Sequence, residues 1–206
     1  MARLNVNPTR MELKKLKTRL STATRGHKLL KDKSDEMIRQ FSIIIKENKR
    51  LRDEVEKELS ETLRQFSIAR SVTPAYSAEA AFAMPSVSVT VECKVGSVMG
   101  VEVPSMDLKS QKRSDGLPYA YSEITSEADY SVMKASQLLP KMVKLAEVEK
   151  TVRLLADEIE RNKRRVNALE YIMIPQLEET IKYIKSKLDE NERAAVVRLM
   201  KVKSKQ

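Results

Sequence analysis

The sequence predicts a mainly α-helical protein: a long antiparallel two-helix coiled coil, formed by the N- and C-terminal segments, carrying a small central β-hairpin insertion. Three observations lead there. Apolar residues recur at alternating steps of three and four over two long stretches, one at each end of the chain. Charged residues make up 33% and aromatic residues only 4%, with four glycines and no tryptophan, a composition that suits long helices better than a broad β core. Three of those glycines and four of the seven prolines fall between residues 71 and 135. Folding two such stripes against each other buries both. The expected organisation is a long N-terminal helix over 1–72, an insertion over 73–122 and a long C-terminal helix over 123–206.

The first seam runs through Leu13, Leu16, Leu20, Ala23, His27, Leu30, Ser34, Met37, Phe41, Ile44, Asn48, Leu51 and Val55. Thr9 and Glu12 have the spacing of a capping box, and Pro74 stops the run. Steps of four from Val55 to Leu59 and on to Leu63 predict a stutter that relaxes the supercoil. At 1.5 Å per residue, some 60 residues predict a rod of roughly 90 Å.

In the insertion, SVSVTVECKV alternates, with Val87, Val89 and Val91 on one face and Ser88, Thr90 and Glu92 on the other. With a turn at Gly96-Ser97 and a second run in VMGVEVP, this predicts a hairpin over about 86–103. A lone hairpin is marginal in water, so it must lie on the helices or on a partner. DGLPY at 115–119 reads as a further turn.

The second seam begins near Leu138 and continues through Met142, Leu145, Val148, Val152, Leu155, Ile159, Asn162, Val166, Leu169, Met173, Leu177, Ile181, Ile184, Leu188, Asn191, Ala195, Leu199 and Val202. Its helix starts between Ser122 and Pro140. Pro175 removes one backbone donor and crowds the carbonyl of Tyr171, which predicts a kink there or, in the alternative, a break between two shorter helices. With the chain ends level, residues whose numbers add to about 210 face each other. That places Asn48 beside Asn162, a polar register pair on otherwise apolar seams.

The charge is unevenly placed. Residues 1–33 hold ten Lys/Arg against Glu12 and Asp32, and residues 193–206 hold five basic residues and no acid, within a chain total of +10. A hairpin brings both blocks to one tip. Arg10, Arg19, Arg25, Lys28, Arg193 and Arg198 are the candidate partner contacts, with Gly26 either tolerated in the helix or marking close approach by another backbone. The tip reads as a solvated face, a nucleic-acid surface or a rod end held in a protein socket. Residues 1–40 offer no aromatic side chain for base stacking.

Catalysis finds no foothold. His27 lies on the seam with no acid or cysteine near it in the pattern, and the serines and threonines have no base to activate them. Cys93 is the only cysteine, so neither a disulfide framework nor a cysteine metal site is expected. No catalytic residue, cofactor or metal ligand is expected. The N-terminus lacks the apolar centre of a signal peptide, and AAFAMPSVSVTV is too short to span a bilayer, so a soluble intracellular chain without direct membrane insertion is expected.

Two stretches carry a resemblance: NPTRMELKKLKTRLSTATRGHKLLKDKSDEM near the start and RRVNALEYIMIPQLEETIKYIKSKLDENERAAVVRLMKVK near the end. In order and spacing they resemble the D component of the V-type and archaeal A-type ATPases and ATP synthases, over nearly the whole chain. The resemblance implies a non-catalytic rotor axle at the cytoplasmic side of a membrane complex, in a prokaryote. It implies partners too: the catalytic A and nucleotide-binding B subunits, the small F subunit of the central stalk, and a funnel-like subunit on the membrane ring. The axle would couple ATP hydrolysis or synthesis to ion translocation, hydrogen ion transport being among the family's activities, while the choice of H⁺ or Na⁺ leaves no mark in this chain. The rival reading, a basic coiled-coil hairpin that binds nucleic acid, predicts a salt-dependent shift with DNA or RNA and no association with an A–B complex.

Overall fold

The computed structural model describes residues 3–82, 87–112 and 125–204. Its elements are helix α1 (Arg10–Val72), helix α2 (Ala75–Phe82), strands β1 (Val87–Val98) and β2 (Val101–Lys112), helix α3 (Ser126–Ala168), a π-helical turn (Leu169–Met173) and helix α4 (Ile174–Lys203). The long helices at both ends and the two-stranded antiparallel hairpin between them are the fold class read from the sequence. DGLPY lies outside the described residues. The chain divides into two compact units, one of residues 1–38 with 159–206 and one of residues 39–158.

In the first unit, α1 opens where Thr9 Oγ1 accepts the Glu12 amide at 3.2 Å, one half of the expected capping box. The Glu12 carboxylate turns instead to Lys15 at 2.8 Å. Leu16, Ala23, Leu177 and Ile184 form the core, flanked by half-buried Leu13, Leu20, Leu169, Ile174, Ile181 and Leu188. Burying aliphatic side chains along both stripes is what holds the pair together. Arg10 pairs with Glu192, His27 lies 3.4 Å from Glu170, and Asn162 Nδ2 donates to Met37 Sδ at 3.3 Å. One number rises as its partner falls, so the two helices of this pair run antiparallel.

These contacts correct the register. Paired numbers add to about 200, not 210. The level ends expected from the sequence do not occur, because residues 3–9 are not helical. Leu4 packs on the core and its amide donates to Thr180 Oγ1 at 3.2 Å, so this arm lies back along α4. Asn162, 1% exposed, is satisfied by Met37 and by Arg165 Nη1 at 3.2 Å, while Asn48 lines a groove with Glu149, Val152 and Arg153.

Around Pro175 the chain stays helical. Pro175 has no amide proton, and the preceding turn widens so that the Ile174 amide reaches back five residues to Leu169 O. A π turn holds one extra residue, which rotates every later side chain. Ile174 consequently joins the core where Met173 was expected, and Met173 is 37% exposed.

In the second unit, Arg52 meets Glu149 at 3.5 Å, and Lys141 binds Glu54 at 3.0 Å and also Glu58. The helices again run antiparallel. The predicted stutter is absent: Leu51, Val55, Thr62 and Ala69 are buried, keeping the seven-residue step, whereas Leu63 is 54% exposed. Thr62 can take the seam because its hydroxyl donates to Glu58 O at 2.7 Å within its own helix. Beside it across the pair stands buried Leu138, and farther along α3 the small buried residues Ser131 and Ala128 follow. Helix α2 follows Pro74, whose carbonyl accepts the Ala78 amide at 3.1 Å. Sequence reading misses this helix because AYSAEAAF shows no apolar stripe. The hairpin turn is Met99-Gly100 rather than Gly96-Ser97, with φ of 54° and 83°. Positive φ at both central residues is the type I′ geometry that matches strand twist. Gly96 sits inside β1 opposite Val103, and β2 runs on to Lys112, past the expected end at 103. Met106 N donates to Glu147 at 3.2 Å, docking the β2 edge on α3.

Candidate functional site

The first unit holds nearly all of the charge asymmetry, with 22 Lys/Arg against 11 Asp/Glu, while the second has 17 against 18. Within it, the correction of register changes what the tip is. Arg10, the first residue of α1, reaches only to Glu192, and the arm before it turns back toward Thr180. Residues 195–203 of α4 are all exposed. This overhang carries Arg198, Lys201 and Lys203, with Arg193 just before it, interleaved with Val196, Val197, Leu199, Met200 and Val202. Leu199 and Val202 were expected on the seam; they have no α1 residue to meet. A helix end that is both cationic and apolar is suited to a socket with apolar walls and acidic rims, and poorly suited to remaining in water.

The other candidate contacts lie on the exposed flank of α1. Arg19 and Lys28 are exposed. Arg25 is held by its own helix, donating from Nε to Ser21 O and from Nη2 to Ser21 Oγ, both at 3.3 Å. Leu29, beside Lys28, is also largely exposed. Gly26 is half-buried, yet a Cβ added there meets nothing within 4 Å, so no backbone among the described residues requires the glycine. Arg10 and Arg193 share the neighbourhood of Glu192, which the structure brings together with Asp189, Val196 and Val197 around one shallow cleft. Arg198 lies farther out on the overhang, so the six cations form a flank and an end rather than one cluster.

Sequence reasoning missed a second surface. In the other unit, Leu59, Leu63, Phe66, Val132, Leu139 and Met142 line an apolar groove between α1 and α3. The signal was present: Leu63 and Met142 are apolar residues one position off a seven-residue seam. They read as seam positions because hydrophobicity alone does not tell a core position from its neighbour.

No described helix is long and apolar enough to cross a membrane. The described residues hold no group of three or more His, Cys, Asp or Glu placed to bind a metal ion.

The family model for the D subunit of ATP synthase matches residues 12–204. The V-type ATP synthase D subunit of Clostridium novyi (strain NT) is 52% identical over 207 aligned positions, covering 99% of this chain and 96% of that protein. The corresponding protein of Clostridium botulinum (strain Alaska E43) is 53% identical, covering 99% and 97%. That of Clostridium botulinum (strain ATCC 19397) is 53% identical over 98% and 95%. With the family model matching nearly the whole chain and relatives above half identity over almost their full length, the chain belongs to the ATP synthase D-subunit family.

Proposed function

We propose that this chain is the central-stalk axle of a rotary ATPase or ATP synthase, transmitting torque between an A/B ring and a membrane ring and performing no chemistry itself. The observation that carries the reading is the bare α4 overhang, a cationic and apolar helix end with no counterpart among the described residues. In this reading it seats in a collar of A and B subunits. Arg10, Arg19, Arg25, Lys28, Arg193 and Arg198 face acidic collar residues, and Gly26 lets collar backbone approach. The second unit, with its apolar groove, receives the small F subunit, and the funnel-like subunit bears on the same half of the chain. No nucleic acid is involved.

Paired helices suit the task because twisting two packed helices works against their shared core, which a single helix lacks. An axle that addresses several catalytic sites in turn needs asymmetry. The π-turn and Pro175 supply a place for the shaft to change direction, and the one-sided overhang supplies a second. The complex works at the cytoplasmic face of a prokaryotic membrane, with this chain peripheral to it.

The test is a tether. In a Cys93→Ser background, Arg198→Cys is cross-linked to a cysteine placed in one B subunit of the assembled complex. A rotating axle stops ATP turnover on cross-linking and regains it on reduction. Full turnover with the tether closed overturns the reading.

A further inference from the structure

Among the described residues, the hairpin has one edge docked and one edge open. At the β2 edge, the Met106 amide points away from β1 and binds Glu147. Position 106 is therefore a non-hydrogen-bonded position of the ladder, and so is its partner Cys93. The two-residue turn gives the same parity, since Val98 and Val101 close the ladder as a bonded pair. Pro104, two residues from Met106, is tolerated for this reason: its missing amide would have pointed outward. It follows that Val91, Cys93 and Val95 direct their N–H and C=O groups to the open edge of β1. The same three side chains lie on one face and are exposed, Val91 by 42% and Val95 by 76%. A long open edge of this kind is a template for another strand.

The order of residues along that edge selects the strand. Read around Cys93, the segment is self-complementary. In an antiparallel pairing of β1 with β1 of a second copy, Cys93 faces Cys93, Val91 faces Val95 and Glu92 faces Lys94. Sliding the register by two sets Glu92 against Glu92 or Lys94 against Lys94. Parallel in-register pairing stacks like charges as well. The ribbon's own ion pairs extend the pattern: Lys109 binds Glu92, and Lys94 binds Asp107 at 2.5 Å. Across four strands the polar face then reads Lys109, Glu92, Lys94, Asp107, with the sign alternating at every step.

We propose that β1 is a homotypic docking edge, through which two copies of the free chain join into one four-stranded antiparallel sheet with its two-fold axis at Cys93. The pairing satisfies the outward backbone groups and makes the half-exposed apolar faces of both ribbons continuous, which a two-stranded ribbon alone does not achieve. It is independent of the axle reading and concerns the chain outside its complex.

The test uses the full-length chain and its mass in solution across a concentration series. Wild type is expected to pass from monomer to dimer, and a short bis-maleimide is expected to link the dimer at Cys93, the chain's only cysteine. Glu92→Lys alone and Lys94→Glu alone each set two like-charge pairs across the axis, and each is expected to weaken association roughly tenfold. An equimolar mixture of the two variants restores both pairs and is expected to return to wild-type strength as a heterodimer. Changes within each ribbon are the same alone and mixed, so they cancel from the comparison. A wild-type chain that stays monomeric throughout overturns the proposal, as do single variants that dimerise like wild type or a mixture that gives no recovery.

Discussion

At the scale of single residues, Gly26 and Thr180 separate stability from assembly. Gly26 costs its helix about 1 kcal/mol against alanine, and none of the described residues occupies the space a methyl group would take. Gly26→Ala is expected to raise the stability of the free chain by about 0.5–1 kcal/mol, read as a rise in urea midpoint. If collar backbone comes close at this position, the same substitution lowers ATP turnover of the assembled complex; unchanged turnover removes Gly26 from the interface. Thr180 is 1% exposed, and its hydroxyl donates to Gln176 O at 2.6 Å while accepting the Leu4 amide at 3.2 Å. Thr180→Val keeps the volume and leaves that amide unsatisfied, an expected loss of about 1–2 kcal/mol. Hydrogen exchange at Leu4 checks it: faster exchange there, with α1 still protected, shows that the hydroxyl holds the arm.

At the scale of elements, the seams were legible because burial imposes a period, and a period survives in sequence even when single positions vary. The errors came where geometry departs from hydrophobicity. Thr62 displaced Leu63 because a back-bonded hydroxyl is cheap to bury and a small side chain lets the helices close. Met173 lost its place to Ile174 because the π turn adds a residue, and Pro175 announces a disturbance without saying which kind. Met99 gave no turn signal, since a non-glycine residue at positive φ is not recognisable in advance. The ion pairs between elements were not legible at all, and they carry a pH signature. Lys141, by hydrogen bond and then by charge, holds the Glu54 carboxyl below its ordinary 4.5. Glu58 and Glu54 in turn raise Lys141 above 10.5. A depressed carboxyl stabilises the fold above its unfolded pKa and loses that contribution as pH falls through the folded value. A raised amine contributes fully below 10.5 and loses it as pH rises through the folded value. Stability is thus expected to be flat between about pH 5 and 10 as far as this cluster is concerned, with a shallow loss on the acid side. Lys141→Met should make the acid limb shallower still, measured as urea midpoint against pH. An acid limb identical in the two proteins shows that the cluster, solvated as it is, contributes nothing.

At the scale of the molecule, charge and cover are divided in a way that makes one prediction decisive. The basic excess belongs to the unit that carries both chain ends, and the α4 overhang within it contributes cations and aliphatic side chains that stabilise no part of the chain's own core. A chain ending after Glu192 therefore keeps every contact of Leu16, Ala23, Leu177 and Ile184. Its urea midpoint is expected to stay within about 0.5 kcal/mol of the full chain, as for surface changes generally. If the overhang is the end that seats in the A/B collar, the same deletion weakens assembly, and part of the deficit persists at high salt, because apolar burial is lost along with the charge. Neutralising only Arg10, Arg19, Arg25, Lys28, Arg193 and Arg198 gives the contrasting result: assembly weakened at low ionic strength and converging with wild type as salt rises, since exposed charges are screened over about 10 Å at 0.1 M. Titrating each variant against an A–B complex at low and high salt separates the two contributions. A truncated chain that assembles and supports turnover like the full one would show that the overhang is not the seated end, and the axle would then have to engage its collar through the α1 flank alone.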